Sequence, residues 1–333
     1  MPVTLKEVAA LAGVSRSAVS RYFTEGASVS DKTREKVRKA ANQLGYRPNA
    51  LASSLTTGRT KLIGLVSNNF HNPVFLQVFD LFTRALQERG LRPLLVNLSD
   101  ETDPENSVRM LQQYSVDAVI VASSTLPVSF AESFHDAGVP VVHSFGRYSK
   151  NPAVNVVGID NKEAGRMAAR ALIDCGYKHI AMLAGPETAT STEDRMFGFL
   201  DALKDHRNIK VTTSFAEDYS FDAGWAEMNR LLEAGNVADG YFCGDDVLSI
   251  GALSALQEKG LKVPQDVGLV GLNDMEIARW RNINLTTIRQ PISEVVRISI
   301  EMVVDMLEYR NRIPNSTLLS CDLVHRNTLP AIF

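Results

Sequence analysis

The start of the chain has apolar positions with the spacing of two short helices. The apolar face of the first predicted helix consists of Leu5, Val8, Ala9 and Ala12. Thr4, followed three residues later by Glu7, forms a capping box that offers acceptors to the free amides of a helix start. Gly13 can adopt the left-handed conformation that ends a helix, and Ser15 is a suitable N-cap for the next one. The pattern predicts a helix-turn-helix.

The second predicted helix separates small apolar side chains from polar and basic ones. Its inner face consists of Ala18, Val19 and Tyr22, and its outer face of Arg16, Ser17, Ser20 and Arg21. Arginines beside small hydroxyl side chains on an exposed helix favour contact with DNA bases. The simpler alternative is an amphipathic helix pair that happens to contain two arginines.

A third helix is predicted after a polar loop. It begins at Ser30, ends at Gly45 and buries a face that consists of Val37, Ala40, Ala41 and Leu44. Pro48 then breaks the chain, and Asn49 could cap a further short helix over 50–55. This segment is too short and too weakly hydrophobic to be helical alone in water, so we expect it to need its twin in a dimer or a DNA groove.

From residue 61 onward, short apolar segments alternate with amphipathic ones. The predicted strands are KLIGLVS, PLLVNL, AVIVAS and VPVVHSF, and then a second series, VNVVGI, HIAMLAG, VTTSF, GYFCG and VGLVGL. The predicted helices span 74–89, 104–114, 128–137, 162–175, 193–204, 221–233, 246–259 and 292–309. Strands that alternate with helices of this length form right-handed βαβ units with parallel strands. Two series predict two lobes, with a ligand cleft near the carboxyl ends of the strands.

Charge divides the chain at the same place. Residues 1–61, which we call the head, contain eleven Lys and Arg against four Asp and Glu, a net charge of +7. The remaining residues, the body, have a net charge of −10. A basic head on an acidic body is typical of a tethered nucleic-acid-binding domain. A merely solvated basic face does not explain why the excess ends at one boundary.

Several classes of protein are excluded by what the sequence lacks. It has no run of about 18 apolar residues for a membrane span, and MPVTLKEVAA is neither a signal nor a transit peptide. We therefore expect a cytoplasmic protein without a membrane partner. The three cysteines are far apart, the six histidines have no metal spacing, and no glycine-rich nucleotide motif is present. We expect no metal, no cofactor and no catalytic residue.

The head has a long, ordered match to a known family. The segments VTLKEVAALAGVSRSAVSRYF, VSDKTREKVRKAANQLGYRPNALASSL and TKLIGLV resemble the lactose-repressor (LacI/GalR) family of bacterial transcription regulators. The resemblance implies an all-α helix-turn-helix head (1–47), a hinge helix and linker (48–60), and an α/β, two-lobed, periplasmic-binding-protein-like effector and dimerisation domain with parallel sheets (61–333). Lobe one would comprise about 61–159 and 290–318, and lobe two about 160–289 and 319–333.

The resemblance also implies DNA contacts in the head. Arg16, Ser17 and Arg21 occupy the base-reading positions of the recognition helix, and arginine pairs well with guanine O6 and N7. The positions that match phosphate contacts are Thr4, Ser15, Ser20, Ser30, Thr33, Tyr46 and Asn49. Leu55 matches the leucine that the family inserts into the minor groove, and packing of Leu55 against its twin is compatible with that role.

In the body, LAGPETATSTEDRMFGF matches the family segment whose arginine holds the effector, here Arg195. Arginine presents a planar fork of donors suited to a carboxylate or to paired hydroxyls. The alternative is a surface salt bridge of Arg195 with Glu193 or Asp194. The other positions that match effector contacts are Asn68, Phe75, Ser124, Phe145, Ser191, Tyr219, Phe242, Asp245, Asn273 and Gln290. Core packing is the alternative role for the aromatic side chains among them.

Two departures from the family pattern concern the ligand. Many sugar-responsive members have Asp after the VPVV strand, where this chain has HSFGR, with Phe145 near that position. The purine-responsive member has a basic residue before the position of Ser191, where this chain has Ala189. The second departure argues against a purine. The first makes an ordinary hexose less secure, although a sugar or sugar derivative remains the leading class of effector.

The sequence thus predicts a homodimeric, ligand-responsive transcription regulator of the repressor type. Two heads would bind a pseudo-palindromic operator in double-stranded DNA, since two-fold protein symmetry requires a two-fold DNA site. A small molecule in the cleft would change the affinity for DNA, either as an inducer or as a corepressor. The alternative function is that of a small-molecule-binding protein without specific operator binding.

Overall fold

The computed structural model describes residues 3–24, 26–49, 54, 58–98, 104–309 and 312–331. The chain divides into two compact units, Met1–Lys61 and Leu62–Phe333, which correspond to the head and the body. Among the described residues, no helix combines the length and the apolar character needed to cross a membrane.

The head contains the helices α1 (Leu5–Ala12), α2 (Arg16–Tyr22) and α3 (Asp31–Leu44). The predicted caps of α1 are confirmed: Thr4 N donates to Glu7 Oε2 over 2.7 Å, and Gly13 ends the helix with φ 61°. Ser15 Oγ caps α2 by accepting from Ala18 N at 3.2 Å. These local bonds satisfy amides that a helix start leaves without partners, so short helices can begin at defined residues.

The head core joins the inner faces of its three helices. It consists of Val8, Ala9, Ala12, Val19, Val37, Ala40, Ala41 and Tyr46. The apolar positions predicted for α1 and α3 are largely the buried ones, and α2 contributes Val19, which is fully buried. The helix-turn-helix prediction is therefore confirmed.

The body contains two six-stranded sheets, one in each lobe. The strands of lobe one are β1 (Leu62–Ser67), β2 (Arg92–Asn97), β3 (Ala118–Ala122), β4 (Val141–Ser144), β5 (Asn155–Ile159) and β11 (Ser316–Leu319). Those of lobe two are β6 (His179–Ala184), β7 (Lys210–Phe215), β8 (Gly240–Cys243), β9 (Gly268–Leu272), β10 (Thr287–Arg289) and β12 (Asp322–Val324). The orders are β11-β5-β4-β3-β1-β2 and β12-β10-β9-β8-β6-β7. The pairs are parallel apart from β10 with β12, which confirms the predicted fold class.

Helices cover both faces of each sheet. Lobe one has α4 (Val74–Glu88), α5 (Pro104–Gln113), α6 (Val128–Asp136) and α11 (Ile292–Glu308). Lobe two has α7 (Asn161–Asp174), α8 (Thr190–Leu203), α9 (Phe221–Glu233) and α10 (Asp246–Glu258). In lobe one, α4 and α11 pack on one face and α5 and α6 on the other. The central strands are buried on both sides, which explains why they are continuous apolar segments.

The chain passes between the lobes three times: after β5, between β10 and α11, and between β11 and β12. VNVVGI, which begins the second predicted series, forms β5 and pairs with β4 in the first sheet. The helix predicted over 193–204 begins earlier, at Thr190. Its start was missed because Ala189, the preceding residue, has no side chain that can cap a helix.

Candidate functional site

A pocket lies between the two lobes, where loops leave the carboxyl ends of parallel strands. Its cavity volume is about 20 Å³, and the space free of protein atoms reaches about 490 Å³ when the part that is open to solvent is counted. The lining residues are Asn69, Asn72, Val74, Phe75, Val78, Ser124, Phe145, Ile159, Asn161, Arg195, Tyr219, Asp245, Asn273 and Gln290. The carboxyl ends of parallel strands meet at one edge of a sheet, so residues far apart in sequence converge there.

Arg195 provides the positive charge of the pocket and is only 4% exposed. Its Nε donates to Asn161 Oδ1 over 2.8 Å, and its Nη1 donates to the carbonyl oxygen of Gly244 over 2.7 Å. These two bonds fix the plane of the guanidinium. Nη2 has no hydrogen-bond partner among the described residues, so its N–H groups remain available to a ligand.

Close packing of α7 against α8 sets the position of Arg195. A Cβ on Gly165 of α7 would lie 2.0 Å from the backbone oxygen of Arg195, and a Cβ on Gly198 of α8 would lie 1.8 Å from the backbone oxygen of Lys162. Only glycine allows this separation of the two helix backbones. Larger residues would move α8, and the guanidinium with it.

Asp245 provides the negative charge and is also buried, at 4% exposure. As the N-cap of α10, its Oδ1 accepts from Val247 N at 2.8 Å. Its Oδ2 accepts from the Nδ2 atoms of Asn72 and Asn273, each over 2.8 Å. Burial raises the pKa of the Asp245 carboxyl, and its hydrogen bonds and the charge of Arg195 oppose that effect. The three bonds are all accepted by Asp245, as suits an ionised carboxylate.

Asn273 connects Asp245 to the segment that returns to lobe one. It follows β9 and has φ 127°, a conformation that residues with side chains rarely adopt. Its backbone N donates to Ile288 O over 2.8 Å, and its side-chain oxygen accepts from Gln290 Nε2. Strained backbone of this kind persists where surrounding bonds hold it on several sides, often at ligand sites.

The wall of the pocket on lobe one is largely apolar. It contains Val74, Phe75 and Val78 of α4, together with Phe145, which follows β4. The ring centroids of Phe75 and Phe145 are 6.0 Å apart, with the planes at 65°. This is the edge-to-face arrangement that aromatic pairs prefer.

Polar side chains join the two lobes directly. Asn72 of lobe one donates to Asp245 of lobe two, as described above. Arg147, which follows β4, donates through Nε and Nη2 to the two carboxylate oxygens of Asp194 over 2.8 and 2.6 Å. Its Nη1 donates to Glu193 over 3.0 Å. Glu193 and Asp194 therefore form salt bridges with Arg147, and Lys162 Nζ lies 3.8 Å from Asp194 Oδ1, so Arg195 is not the partner that the alternative from the sequence gave them.

A second buried carboxyl, Asp246, follows Asp245 as the first residue of α10. It accepts from Met275 N over 2.8 Å and from Thr287 Oγ1. Burial raises its pKa to about 7, with the neighbouring charge of Asp245 acting in the same direction. Met275 packs into the core of lobe one, so Asp246 supports a segment that contacts both lobes.

Eight of the predicted effector-contact residues line the pocket: Phe75, Ser124, Phe145, Arg195, Tyr219, Asp245, Asn273 and Gln290. Asn68 instead lies beside the pocket and donates to Thr125 Oγ1 over 3.0 Å. Ser191 is buried in α8, and its hydroxyl has no partner among the described residues. Phe242 lies in the core of lobe two, where its ring is 5.9 Å from that of Phe199. The structure therefore places Phe242 in the core, which is the alternative to an effector contact for this residue.

Six lining residues were not predicted: Asn69, Asn72, Val74, Val78, Ile159 and Asn161. Asn72 and Asn161 make the most important of the missed contacts, to Asp245 and Arg195. Both follow buried strands of the same sheet, β1 and β5. Polar side chains after parallel strands are a signal that could have indicated them.

In the head, the predicted base-reading side chains are available. Arg16, Ser17 and Arg21 are exposed on α2, and the two arginines form no ion pair or hydrogen bond within the described part of the chain. The predicted phosphate-contact residues differ in their surroundings. Three of them cap helices, Thr4, Ser15 and Ser30, and Thr33 forms a hydrogen bond with Ser30. Ser20 is half-buried, Asn49 is exposed, and the ring of Tyr46 packs against that of Phe23. Leu55 lies outside the described residues.

The described residues contain no group of three or more His, Cys, Asp or Glu side chains placed to hold a metal ion. His143 is fully buried, where burial lowers its pKa to about 4, and its Nε2 lies 3.1 Å from Ser123 O. It belongs to the packing beneath the pocket rather than to its lining.

Models of two protein families match the chain. The model for bacterial regulatory proteins of the lacI family matches residues 4–49, and that for a periplasmic binding protein domain matches residues 63–311. The HTH-type transcriptional regulator CelR of Thermobifida fusca is 33% identical over 333 residues, 98% of each chain. The HTH-type transcriptional repressor PurR of Escherichia coli O139:H28 is 30% identical, over 98% of this chain and 96% of its own.

Solved structures are similar over nearly the whole chain. The lac repressor dimer bound to operator and the anti-inducer ONPF has a TM-score of 0.89 at 27% identity, covering 99% of this chain and 100% of that one. The complex of the regulator CelR with cellobiose has a TM-score of 0.72 at 30% identity, covering 98% and 99%. The helix-turn-helix head, the two-lobed body and these matches together establish that the chain belongs to the lacI family of bacterial regulatory proteins.

Proposed function

We propose that this regulator binds operator DNA as a homodimer and that a sugar-like molecule, bound in the pocket between the lobes, changes its affinity for DNA. Two observations together support this most directly. Arg16 and Arg21 are exposed on α2 and have no bonding partner among the described residues, and Nη2 of Arg195 in the pocket has none there either. The lac repressor structure that resembles this chain is itself a dimer on an operator.

In the head, we assign base recognition to Arg16, Ser17 and Arg21. An arginine that is free of internal partners can donate two hydrogen bonds to one guanine, which contributes about 1–3 kcal/mol of discrimination. The helix starts at Thr4, Ser15 and Ser30 suit phosphate, because backbone amides and the helix dipole favour an anion there. Insertion of Leu55 into the minor groove remains a prediction from the sequence.

In the body, the effector is proposed to act by setting the relative placement of the lobes. The bonds Asn72–Asp245 and Arg147–Asp194 hold them together around the pocket. A ligand that bonds to both lobes stabilises this arrangement over a more open one, and it shifts the equilibrium only by its difference in affinity for the two. Release of DNA and promotion of DNA binding are both compatible with such coupling.

The class of effector is proposed from the side chains of the pocket. Amides, a carboxylate and a guanidinium are the groups that bond to the hydroxyls of a sugar. CelR, one of the similar proteins, has been solved with cellobiose. A cytoplasmic location and the absence of catalysis, both predicted from the sequence, fit this role. Recovery of unchanged ligand after incubation with the protein would support a binding role, whereas turnover would contradict it.

Gel shift of the full chain on DNA from upstream of its own gene, and on a library of random operators, tests the proposed function. We expect selection of a pseudo-palindromic site at moderate salt, with binding that falls as salt rises. If no sequence is bound more tightly than random DNA, the chain is a small-molecule-binding protein and the proposal is wrong.

A further inference from the structure

The apolar wall of the pocket belongs to a row of four phenylalanine rings in contact. The centroids of Phe70 and Phe79 are 4.8 Å apart, those of Phe79 and Phe75 6.0 Å, and those of Phe75 and Phe145 6.0 Å. The last two rings line the pocket. Phe145 is therefore a packed surface, supported from behind by the core of lobe one.

The backbone also fixes Phe145 in place. Its φ is 64°, and its N–H donates to Val157 O over 2.6 Å, which ties it to β5. The next residue, Gly146, cannot carry a side chain without moving a neighbour, because a Cβ would lie 2.7 Å from the ring of His143. Phe145 is thus held in a defined position, and the part of a ligand that contacts it has to be complementary to its ring.

Phe145 offers no hydrogen bond to a ligand, and the polar side chains of the pocket lie elsewhere. Among the described lining residues, Arg195 is the one basic side chain and Asp245 the one carboxyl. Burial raises the pKa of Asp245, but the carboxyl accepts all three of its hydrogen bonds, as an ionised carboxylate does, and in that state it offsets the charge of Arg195. An anionic ligand would add an unbalanced charge to a buried site, which is costly. A ligand hydroxyl placed against Phe145 would lose its hydrogen bonds to water and would find no hydrogen-bond partner on the ring, which is also costly.

We propose that the pocket selects a neutral, sugar-like polyol that has a hydrogen or a methyl group, and no hydroxyl, at the ring edge that meets Phe145. A deoxysugar or a pentose has this chemistry. Phe145 is then the residue that determines the specificity. This inference rests on the proposed function, since it assumes that the pocket takes a sugar-like effector.

Binding of matched sugars to the full chain, measured by isothermal calorimetry, tests the proposal. The pairs are D-fucose with D-galactose, L-rhamnose with L-mannose, D-xylose with D-glucose and 2-deoxy-D-glucose with D-glucose, with D-galacturonate as the anionic probe. In at least one pair, we expect the sugar that lacks the hydroxyl or hydroxymethyl group to bind about 10–100-fold more tightly than its partner. D-Galacturonate should bind more weakly than D-galactose and D-fucose.

Variants at Phe145 should change this preference. Phe145→Asp and Phe145→Asn supply a hydrogen-bonding group, and Asp and Asn tolerate a positive φ better than Phe, so the backbone can be retained. We expect both variants to reduce or reverse the preference for the deoxygenated member. Phe130→Leu removes an aromatic ring from the other core of lobe one and should leave the preference unchanged.

Three results would overturn the proposal: tighter binding of the hydroxylated member in every pair, tightest binding of D-galacturonate, or an unchanged preference in a folded Phe145 variant. Absence of binding by every sugar would also overturn it, while the gel shift without ligand would still decide operator binding separately. If the Phe145 variants do not fold, the comparison of pairs in the wild-type protein decides alone.

Discussion

Arg16 and Arg21 in the head are exposed and have no partner among the described residues, whereas Arg195 in the pocket is buried and donates two hydrogen bonds to protein atoms. The two arginines predicted to read bases therefore take no part in the described bonds that hold the fold of the head. In the pocket, the same side chains both hold the structure and await a ligand. Substitution of Arg16 or Arg21 should change binding alone, and substitution of Arg195 should change binding and stability together.

The largest expected effect is that of Arg195→Ala. It leaves Asn161 Oδ1 and the Gly244 carbonyl without their buried donor and removes the charge beside Asp245. We expect effector binding to fall at least about 100-fold and the free energy of unfolding to fall by about 2–5 kcal/mol. Calorimetry and urea unfolding measure the two quantities. Arg170→Ala, which removes an exposed arginine from α7, should change neither by much.

Substitution of Arg16 and of Arg21 by Ala tests whether the arginines of the head contribute to DNA binding without contributing to stability. Each should lower specific operator affinity by about 1–3 kcal/mol, because a bidentate contact with guanine is lost. The free energy of unfolding should change by less than about 0.5 kcal/mol, since these side chains have no described internal partner. Fluorescence anisotropy on operator and on random DNA measures the affinity, and thermal unfolding in parallel shows whether stability is unchanged. An equal loss on both DNAs would assign these arginines to phosphate instead.

Asp246→Asn gives a smaller effect that depends on pH. Because the folded pKa is raised to about 7, the folded state keeps a proton that the unfolded state releases near pH 4. This carboxyl therefore lowers stability as pH rises toward 7. Relative to wild type, the Asn variant should gain about 1.4 kcal/mol of unfolding free energy per pH unit between pH 5 and 6, and about half as much per unit near pH 7. Urea titrations of both proteins at each pH measure this; a constant difference would mean that Asp246 is ionised throughout.

The smallest expected effect is that of Arg147→Gln at the rim between the lobes. The guanidinium is 38% exposed and its partner Asp194 is 9% exposed, so solvent screens the pair only in part. We expect effector affinity to fall by about two- to fivefold, with a loss that shrinks at high salt. Arg84→Gln removes a more exposed pair within α4 and serves as the control. Effector affinity equal to that of wild type would show that this bond does not hold the lobes together.

The same contrast explains what could be predicted from the sequence. Thr4, Gly13 and Ser15 act on residues three or four positions away, so their spacing alone indicates the helix ends. The pocket depends on contacts such as Asn72 with Asp245, which are 173 residues apart. The alternation of helices and strands predicted the two sheets, and the family resemblance indicated Arg195 and Asp245. It did not indicate Asn72, whose bond to Asp245 forms only when the lobes meet, or Asn161, whose bond to Arg195 forms only when α7 packs on α8.

Phe242 and Phe145 show that the sequence alone does not predict whether a ring at the end of a strand faces the pocket or the core. Both are aromatic residues near the end of a strand. Successive side chains of a strand point to opposite faces of the sheet, so a shift of one residue moves a ring from the pocket to the core. Phe242 faces the core under α7 and α8, whereas Phe145 lies after the end of β4, in a left-handed conformation that redirects its ring to the pocket.

Occupation of the pocket is proposed to control binding of DNA by the head. This control is tested most directly by anisotropy titrations of the full chain on its selected operator, at fixed salt, with and without a saturating sugar identified by calorimetry. We expect the sugar to change operator affinity by about tenfold or more, in one direction or the other, and Arg195→Ala to abolish the change. Operator affinity that stays the same while the sugar is bound would contradict this proposal.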